Sequence, residues 1–510
     1  MNQVLLALAV AILLIWNLTK YISRYRQNAA DQKIGQKNGC LPAPRLPNQR
    51  PLGVDRLEQM FRADAESRLM ELFLFHFRQT GSTLEQEFLG TKAYGTIEPA
   101  NVETILSTKF QDYGTGPRRA IMLPLFGDGI FTQEGSDWKH SRDMLRLQLQ
   151  HKQYANLDVF RTAADDLVQL LQRNNGIVDL QPLFFRLTLD TITEFLFGES
   201  VHSLNAPKTA GEPIFATAFN AAQKCIAKQL RLRDLYWLVN DSRFRQACRD
   251  VHDFADRIID GNLSPNRPEG EEPGRYLFLD SIARKTMDRL ALRGQIINLL
   301  AAGRDTTASL LSWTLFLLVR HPHTMEKLRA EIALVCNANS GPNRKELKRM
   351  QYLQNVLKET LRLYPPVPVN IRAAIRTTVL PTGGGPDQNS PVLIPKGSIV
   401  AFSVYSMHRR PDLYGMDAEL FRPERWNEDM PLQHDPTSSK WGYLPFHGGP
   451  RICLGMDFAL TEAGYTIVRL LQTFKTIKLP EGEKTQLVGV EGQTMTLTMS
   501  IKEGCSVEVR

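Results

Sequence analysis

The sequence lacks several features that mark common protein classes. Its six cysteines, at positions 40, 225, 248, 336, 453 and 505, include no C-x-x-C pair. This spacing argues against a disulfide framework and against a structural zinc site, and it favours a reducing compartment. No internal repeat and no second linker follow residue 55, and the best break, 264–274 (SPNRPEGEEPG), is interpreted as a surface loop. One large domain is therefore expected.

The main body of the chain also lacks a large excess of basic over acidic residues. The formal net charge is +8, but residues 1–51 contain seven basic residues and one acidic residue, so they carry most of the excess. The remaining positive charge is spread thinly over the other residues. The composition therefore gives no reason to expect nucleic-acid binding.

The N-terminal residues have an organisation of their own. An apolar run covers 4–16 and is extended by Leu18, Tyr21 and Ile22, after which basic residues follow. A cleaved secretory signal is the competing interpretation, but no basic residue precedes the run and no clear cleavage site follows it. The expected organisation is a membrane anchor over 1–22, a basic and Pro-rich linker over 23–54 and a catalytic domain over 55–510, on the cytosolic side. The prolines of 41–51 predict a stiff, extended spacer within this linker.

Helical periodicity dominates the rest of the chain. It runs through 281–320, 325–336 and 350–363, whereas short alternating runs near 370–380, 392–404 and 495–509 indicate small sheets. The predicted fold class is mainly α with minor β.

The longest predicted helix, 289–320, is apolar almost throughout and should cross the core. Near its middle lies A-A-G-R-D-T-T (301–307), which places a glycine, two charges and two hydroxyls where apolar residues would pack best. A hydroxyl that bonds back to the carbonyl four residues earlier can open a helix locally and leave room for water or a small ligand. The competing interpretation is a stripe of the helix that touches solvent.

Cys453 lies in a loop, F-H-G-G-P-R-I-C-L-G (446–455), just before another helical segment. An inert buried thiol, a nucleophile and a metal-bound thiolate are the three alternatives. No nearby histidine and acid support a nucleophile. A thiolate that binds haem iron needs backbone N–H groups around the sulfur, and the loop glycines permit such a turn, while Phe446 can cover the ring and Arg451 supplies charge for haem carboxylates.

Two further segments complete the pattern. Glu359 and Arg362 share a helical face just before a proline, and alone they would form an ordinary surface ion pair. Arg425 follows later, in P-E-R (423–425), and could complete a buried Glu-Arg-Arg network if the segments meet.

Together these motifs resemble the cytochrome P450 superfamily, over about residues 42–510. The resemblance implies a helix-rich, triangular domain with a small β region. It rests on five motifs in the family's order: W-x-x-x-R at Trp138 and Arg142, A-G-x-D-T-T at 302–307, E-x-x-R at Glu359 and Arg362, P-E-R at 423–425, and F-x-x-G-x-R-x-C-x-G at 446–455.

The resemblance also implies a site and a reaction. It makes Cys453 the iron ligand of haem b, places Phe446 beside the ring, and assigns the haem propionates to Trp138, Arg142, Arg372 and Arg451. Asp305 and Thr306 are then the catalytic pair, in which the acid relays protons and the hydroxyl holds the water that delivers them. The implied enzyme is a monooxygenase that receives electrons from NADPH through a membrane-bound reductase.

Within the superfamily the sequence is most similar to fungal alkane and fatty-acid hydroxylases, as in Y-P-P-V-P-V-N-I-R (364–372). The implied substrate is lipophilic, an n-alkane or a fatty acid hydroxylated at its terminal position, and the implied location is the endoplasmic reticulum membrane. The resemblance also implies that residues 116–131, 214–238 and 367–371 line the substrate pocket. A tailoring oxidase of a fungal secondary-metabolite pathway, acting on a polyketide or terpenoid, is the main alternative. A haem-thiolate isomerase or dehydratase, or a haem sensor, is a third class, and neither needs the proton relay that Asp305 and Thr306 suggest.

Overall fold

The computed structural model describes residues 18–19, 22, 25–88, 90–149, 154, 157–173, 176–205, 212–263, 288–337, 340–483 and 491–510. The predicted anchor, 1–22, and the predicted loop, 264–274, lie almost wholly outside the described residues. Of the helices within the described ranges, none is both long and apolar enough to cross a membrane.

Helices make up most of the described residues, as predicted. In chain order they are α1 (Val54–Ala65), α2 (Leu69–Thr80), α3 (Pro99–Glu103), α4 (Arg118–Phe126), α5 (Gly135–Gln148), α6 (Asp158–Arg173), α7 (Leu180–Phe197), α8 (Glu212–Leu232), α9 (Ser242–Leu263), α10 (Arg289–Arg320), α11 (Pro322–Val335), α12 (Arg344–Arg349), α13 (Gln351–Leu363), α14 (Val404–Met407), α15 (Pro411–Tyr414), α16 (Pro436–Trp441) and α17 (Met456–Thr473).

Short strands form the minor β part. In chain order they are β1 (Thr83–Phe88), β2 (Thr91–Thr96), β3 (Tyr113–Gly114), β4 (Gly176–Asp179), β5 (Val369–Ala374), β6 (Thr378–Gly384), β7 (Ser390–Ile394), β8 (Ile399–Ser403), β9 (Ile477–Lys478), β10 (Gln493–Met495), β11 (Met499–Ile501) and β12 (Ser506–Val509). The largest sheet has the order β1-β2-β8-β5-β3, in which β2 and β8 are parallel and the other pairs are antiparallel. The sheets predicted near 370–380, 392–404 and 495–509 are confirmed, whereas the β1–β2 hairpin was not predicted.

The predicted linker is not an extended spacer over its whole length. Residues 25–37 are helical, and the following Pro-rich stretch lies against the largest sheet. Ala43 and Leu46 are buried, and the Leu46 N–H donates to the Glu85 carbonyl at 2.9 Å. The apolar side chains between the prolines explain the difference, because they gain more from burial than from exposure. The described part of this linker therefore packs on the domain.

Helix α10 crosses the core as predicted. Its N-terminus is capped by the Asp288 side chain, which accepts from the Leu290 N–H, and it ends at His321, directly before Pro322. Gly303 lets α7 approach closely, because a Cβ at this position would come within 2.8 Å of the Ile192 side chain. The polar stretch 301–307 is thus held against α7 in the middle of the core, and the interpretation as a solvent-touching stripe is wrong.

The predicted Glu-Arg-Arg network forms and is fully buried. Glu359 accepts from Arg362 Nη2 and from Arg425 Nε, each at 2.8 Å. Burial opposes ionisation, but the two guanidinium groups hold the pKa of the Glu359 carboxyl below its usual range. Arg362 also donates to the His408 carbonyl at 2.7 Å, and the His408 imidazole accepts from the Leu444 N–H at 2.9 Å. The network therefore supports the chain two residues before the Cys453 loop.

Candidate active site

The Cys453 loop is a tight turn that depends on its glycines. Residues Gly449–Arg451 form a 3-10 turn, after which the Cys453 N–H donates to the Phe446 carbonyl at 3.0 Å. Gly449 has a φ of +67°, and a Cβ there would lie 1.9 Å from the Leu106 carbonyl oxygen. Any side chain at this position would displace the loop.

The Cys453 sulfur lies within the protein and is still accessible. Its side chain is exposed, yet burial among surrounding protein atoms is the largest influence on its pKa and raises it. The Gly455 N–H donates to the sulfur and Arg142 lies nearby, and both lower the pKa of the thiol. The environment thus stabilises a thiolate in part, and bound metal would complete its deprotonation.

A cluster of arginines adjoins this loop, and we call Arg118, Arg372 and Arg451 the arginine cluster. Arg372 is 3% exposed, and its pKa lies well below its ordinary value because of burial and of repulsion from the other two. Burial and Arg118 likewise lower the pKa of Arg451 to about 10. Glu134 is the acidic residue whose charge acts in the opposite direction.

The partners of the arginine cluster are neutral. Arg118 and Arg372 both donate to the Asn370 side-chain oxygen, at 2.5 and 2.9 Å, and Arg451 donates to the Gln133 carbonyl at 2.9 Å. Among the described residues, none of the three forms an ion pair with a carboxylate. Because buried charges are normally paired, the cluster is suited to an anionic ligand.

Aromatic and imidazole rings complete this region. The Arg451 guanidinium lies 4.4 Å from the centroid of the buried Trp138 ring, and that of Arg142 lies 5.8 Å from it. Arg372 approaches the His447 ring at 3.2 Å, and burial together with Arg372 lowers the pKa of His447 to about 3. His447 is therefore neutral.

The structure brings together Arg372 and Arg451 as predicted, with Trp138 and Arg142 beside them, and adds Arg118 and His447. The sequence analysis missed Arg118, although an arginine pair directly after Gly116-Pro117 was a visible signal. No role in the site was predicted for His447, and a neutral ring between cations was not anticipated.

Asp305 and Thr306 lie in the wall of an apolar cavity of about 430 Å³. The Thr306 hydroxyl donates to the Ala302 carbonyl at 2.7 Å, which confirms the predicted bond to the preceding turn. The Asp305 carboxylate accepts from Arg304 at 2.7 Å and from Gln223 at 2.6 Å. Burial raises the pKa of Asp305, and the two donors oppose this effect. A protonated and an ionised form are thus closer in free energy than for an exposed aspartate.

Three segments were predicted to line the substrate pocket, and each contributes to the cavity. Met122 and Phe131 come from 116–131, Ala227 and Leu230 from 214–238, and Val369 from 367–371. Apolar residues of α1, α2, β1 and β2 and the turn 495–498 also line it, and these were not predicted. They were missed because the cavity wall joins segments that are distant in sequence.

These residues fit haem. Within the described ranges no three His, Cys, Asp or Glu side chains converge as metal ligands, and the backbone N–H group of Gly455 at the Cys453 sulfur suits a haem-bound thiolate. Two propionates would provide the anionic partners that the arginine cluster lacks. The fold and this donor set define the class of haem-thiolate proteins.

Comparison with known proteins identifies the family. The model of the cytochrome P450 family matches residues 59–498. A cytochrome P450 of Arthroderma benhamiae is 43% identical over 99% of both chains, and cytochrome P450 52A13 of Debaryomyces hansenii is 39% identical over 92% of both. Among solved structures, the haem domain of cytochrome P450DA aligns with a TM-score of 0.75 at 23% identity, covering 92% of this chain and 98% of that one.

The chain belongs to the cytochrome P450 family. It is accordingly a monooxygenase that uses haem b and electrons from NADPH delivered through a reductase. The predicted enzyme class and cofactor are confirmed, and the sensor and isomerase alternatives are not supported.

Proposed function

We propose that this protein hydroxylates the terminal carbon of an alkyl chain, in an n-alkane or a fatty acid. The observation that carries the proposal is the apolar cavity whose wall includes Asp305 and Thr306. Most residues of the wall are apolar, and polar side chains such as His76, Arg231 and Thr498 are a minority, which suits a substrate that is apolar along most of its length. Similarity to several fungal 52A proteins supports the same substrate class.

Each site residue has a distinct role in this proposal. Cys453 binds the iron, and the arginine cluster with Trp138 and Arg142 holds the propionates, while Phe446 packs beside the ring. Haem, when bound, activates dioxygen for insertion of one oxygen atom into a C–H bond. Asp305 binds a proton at a carboxylate oxygen and passes it to water that Thr306 Oγ1 holds.

Thr306 is suited to holding a water because its hydroxyl already donates its proton to another group. Its proton is used by the Ala302 carbonyl, so the free lone pairs of Oγ1 can only accept. A water that donates to Oγ1 is thereby oriented with its own oxygen free to take a proton from Asp305. This pair is the group of residues that an oxygenase needs and a carrier does not.

The proposal also covers membrane attachment and reductase docking. Residues 1–22 would anchor the protein in the endoplasmic reticulum membrane, with the catalytic domain in the cytosol. The reductase would dock on the side of the Cys453 loop, where Lys139, Arg146 and Lys440 are exposed. Raising the ionic strength should then raise the KM for the reductase, and Lys440→Glu should weaken that salt dependence.

The ligand assignment is tested by spectroscopy. Reduced, CO-bound protein should show the Soret band of thiolate-ligated haem, and Cys453→Ala should abolish it. Cys336→Ala is the matched control, since Cys336 is a partly exposed thiol far from the loop in sequence. Persistence of the band in Cys453→Ala would refute the assignment.

The substrate assignment is tested by product analysis. Purified holoenzyme with a reductase and NADPH should convert hexadecane or lauric acid to the terminal alcohol. Oxidation only within the chain would refute terminal selectivity. Turnover of a polyketide or terpenoid with no turnover of either alkyl substrate would favour the tailoring alternative.

A further inference from the structure

Both oxygens of the Asp305 carboxylate accept a hydrogen bond from a side chain. Arg304 Nη1 donates to Oδ1 at 2.7 Å, and Gln223 Nε2 donates to Oδ2 at 2.6 Å. Gln223 and Asp305 are 2% and 4% exposed, respectively. Since hydrogen bonds to a buried charge are among the strongest side-chain interactions, these two donors fix the direction in which the carboxylate points.

Gln223 belongs to a different helix from the residue it holds. It lies on α8, and Asn220, one turn earlier on the same face, accepts from Arg304 at 3.2 Å. The Arg304 guanidinium also lies over the Phe219 ring of α8, 5.8 Å from its centroid. One face of α8 therefore contacts both members of the Arg304–Asp305 pair.

The same glutamine is part of the substrate cavity. Gln223, Asp305 and Thr306 all contribute to its wall, together with Ala227 one turn further along α8. A substrate that fills the cavity therefore contacts the helix that orients the acid. An apolar side chain at 223 would suit an alkyl substrate better, so the amide requires a separate reason.

We propose that Gln223 is a positioning residue of the proton relay, and that its hydrogen bond links the orientation of Asp305 to the seating of α8 over the substrate. The inference rests on the proposed function, in which Asp305 relays protons. Gln223 does not itself transfer the proton. It acts indirectly, through the orientation of the Asp305 carboxylate that it holds. Its bond holds the carboxylate in one orientation relative to the water held by Thr306, and loss of the bond should leave that orientation undefined.

The charged surroundings of Asp305 are simple enough for a titration to be interpreted. Arg304 is the charged group acting on it among the described residues. Helix α8 contributes the neutral amides of Asn220 and Gln223, and α7 contributes the Thr188 hydroxyl, which donates to the Arg304 carbonyl at 2.8 Å. Removing the Gln223 donor should therefore favour the protonated acid.

The test compares Gln223→Leu with Gln229→Leu. Gln229 is also on α8 and 2% exposed, but its amide donates to the Val239 carbonyl at 2.8 Å and does not reach Asp305. The ferric holoenzyme is titrated by infrared spectroscopy, and the Asp305 carboxylic acid band is assigned by its loss in Asp305→Asn. Gln223→Leu should shift the protonation equilibrium of Asp305 about tenfold toward the acid, whereas Gln229→Leu should leave it unchanged.

Turnover supplies the second readout. With lauric acid, Gln223→Leu should lower the product formed per NADPH about tenfold and raise the solvent isotope effect on kcat. A tenfold loss is a fraction of the rate enhancement that a well-positioned proton donor provides. Gln223→Glu keeps the size of the side chain and serves if the leucine variant fails to bind haem. It removes the donor and adds a second carboxylate, so it should favour the protonated acid more strongly.

The outcomes separate the two proposals. An unchanged Asp305 titration in the haem-loaded Gln223 variants would overturn the positioning role. If Asp305→Asn lowers coupling and neither Gln223 variant does, the relay stands and this inference fails. If Asp305→Asn itself has wild-type coupling and isotope effect, the relay in the proposed function is wrong.

Discussion

Glu462 provides the sharpest test of the electrostatics of this core. It lies on α17, the helix that follows the Cys453 loop, and its side chain is 1% exposed. Neither carboxyl oxygen has a partner at hydrogen-bonding geometry among the described residues. Burial raises the pKa of Glu462 to about 8, although the nearby hydroxyls of Thr191 and Thr307 oppose the rise.

The magnitude follows from linkage. In the unfolded chain the pKa is near 4.5, against about 8 in the folded protein. The folded state therefore retains the proton over a range in which the unfolded state has lost it. At about 1.36 kcal/mol per pKa unit, and with each state half titrated at its own pKa, the wild-type protein loses about 4 kcal/mol of unfolding free energy between pH 4.5 and pH 8 from this group alone.

Glu462→Gln removes this loss, because a carboxamide resembles the protonated acid and cannot ionise. The variant and the wild type should differ by less than about 1 kcal/mol near pH 4.5 and by about 3 kcal/mol or more at pH 8, where the variant is the more stable. Urea unfolding of the holoenzyme at both pH values, followed by tryptophan fluorescence, measures the difference.

Glu359 provides a matched control, for which the change in unfolding free energy should have the opposite sign. Glu359 is equally buried, but its guanidinium partners hold its pKa low, so Glu359→Gln should destabilise the protein at both pH values. If Glu462→Gln gains nothing between pH 4.5 and pH 8, Glu462 is ionised in the fold and the reasoning is wrong.

Four further outcomes are expected. Thr306→Ala should keep the reduced-CO spectrum but divert electrons to hydrogen peroxide, measured per NADPH, and unchanged coupling would exclude Thr306 from the relay. Arg425→Met should lower the unfolding free energy by about 3–5 kcal/mol, since Glu359 is left under-compensated, and urea unfolding measures this. Arg372→Leu should speed haem transfer to apomyoglobin at least tenfold. Gly449→Ala should abolish haem loading, because its Cβ would lie 1.9 Å from a backbone oxygen, and normal loading would contradict the role given to that turn.

Local patterns predicted the parts of the fold that depend on local chemistry. The end of α10 at His321-Pro322 and the back bond of Thr306 follow from residues within one turn, and both are confirmed. The network of Glu359, Arg362 and Arg425 was predicted on the condition that the segments carrying Glu359 and Arg425 meet in the fold. Whether they meet depends on tertiary packing, which local patterns do not reveal. The Pro-rich stretch after residue 40 was predicted to be a stiff, extended spacer, and its partial burial was missed because it depends on a sheet that the stretch meets only in the folded chain.

The site shows the same limit. Motif spacing identified Cys453, Asp305 and Arg451, but not Gln223 or Arg118, which act across gaps of 82 and 252 residues to reach their partners. No periodicity along α8 distinguishes a glutamine that faces the cavity from one that faces a neighbouring loop. Side chains that join distant segments need the three-dimensional structure.

The neutral surroundings of the arginine cluster have a consequence for the life of the protein in the cell. The like charges of the cluster repel one another, and Glu134 offsets this repulsion without forming an ion pair with them, so a bound anionic ligand would stabilise the fold. By mass action, each tenfold rise in free haem above its dissociation constant adds about 1.4 kcal/mol to the stability of the folded state. The amount of this enzyme should therefore follow the supply of haem, and starvation for iron should deplete the protein itself as well as its activity.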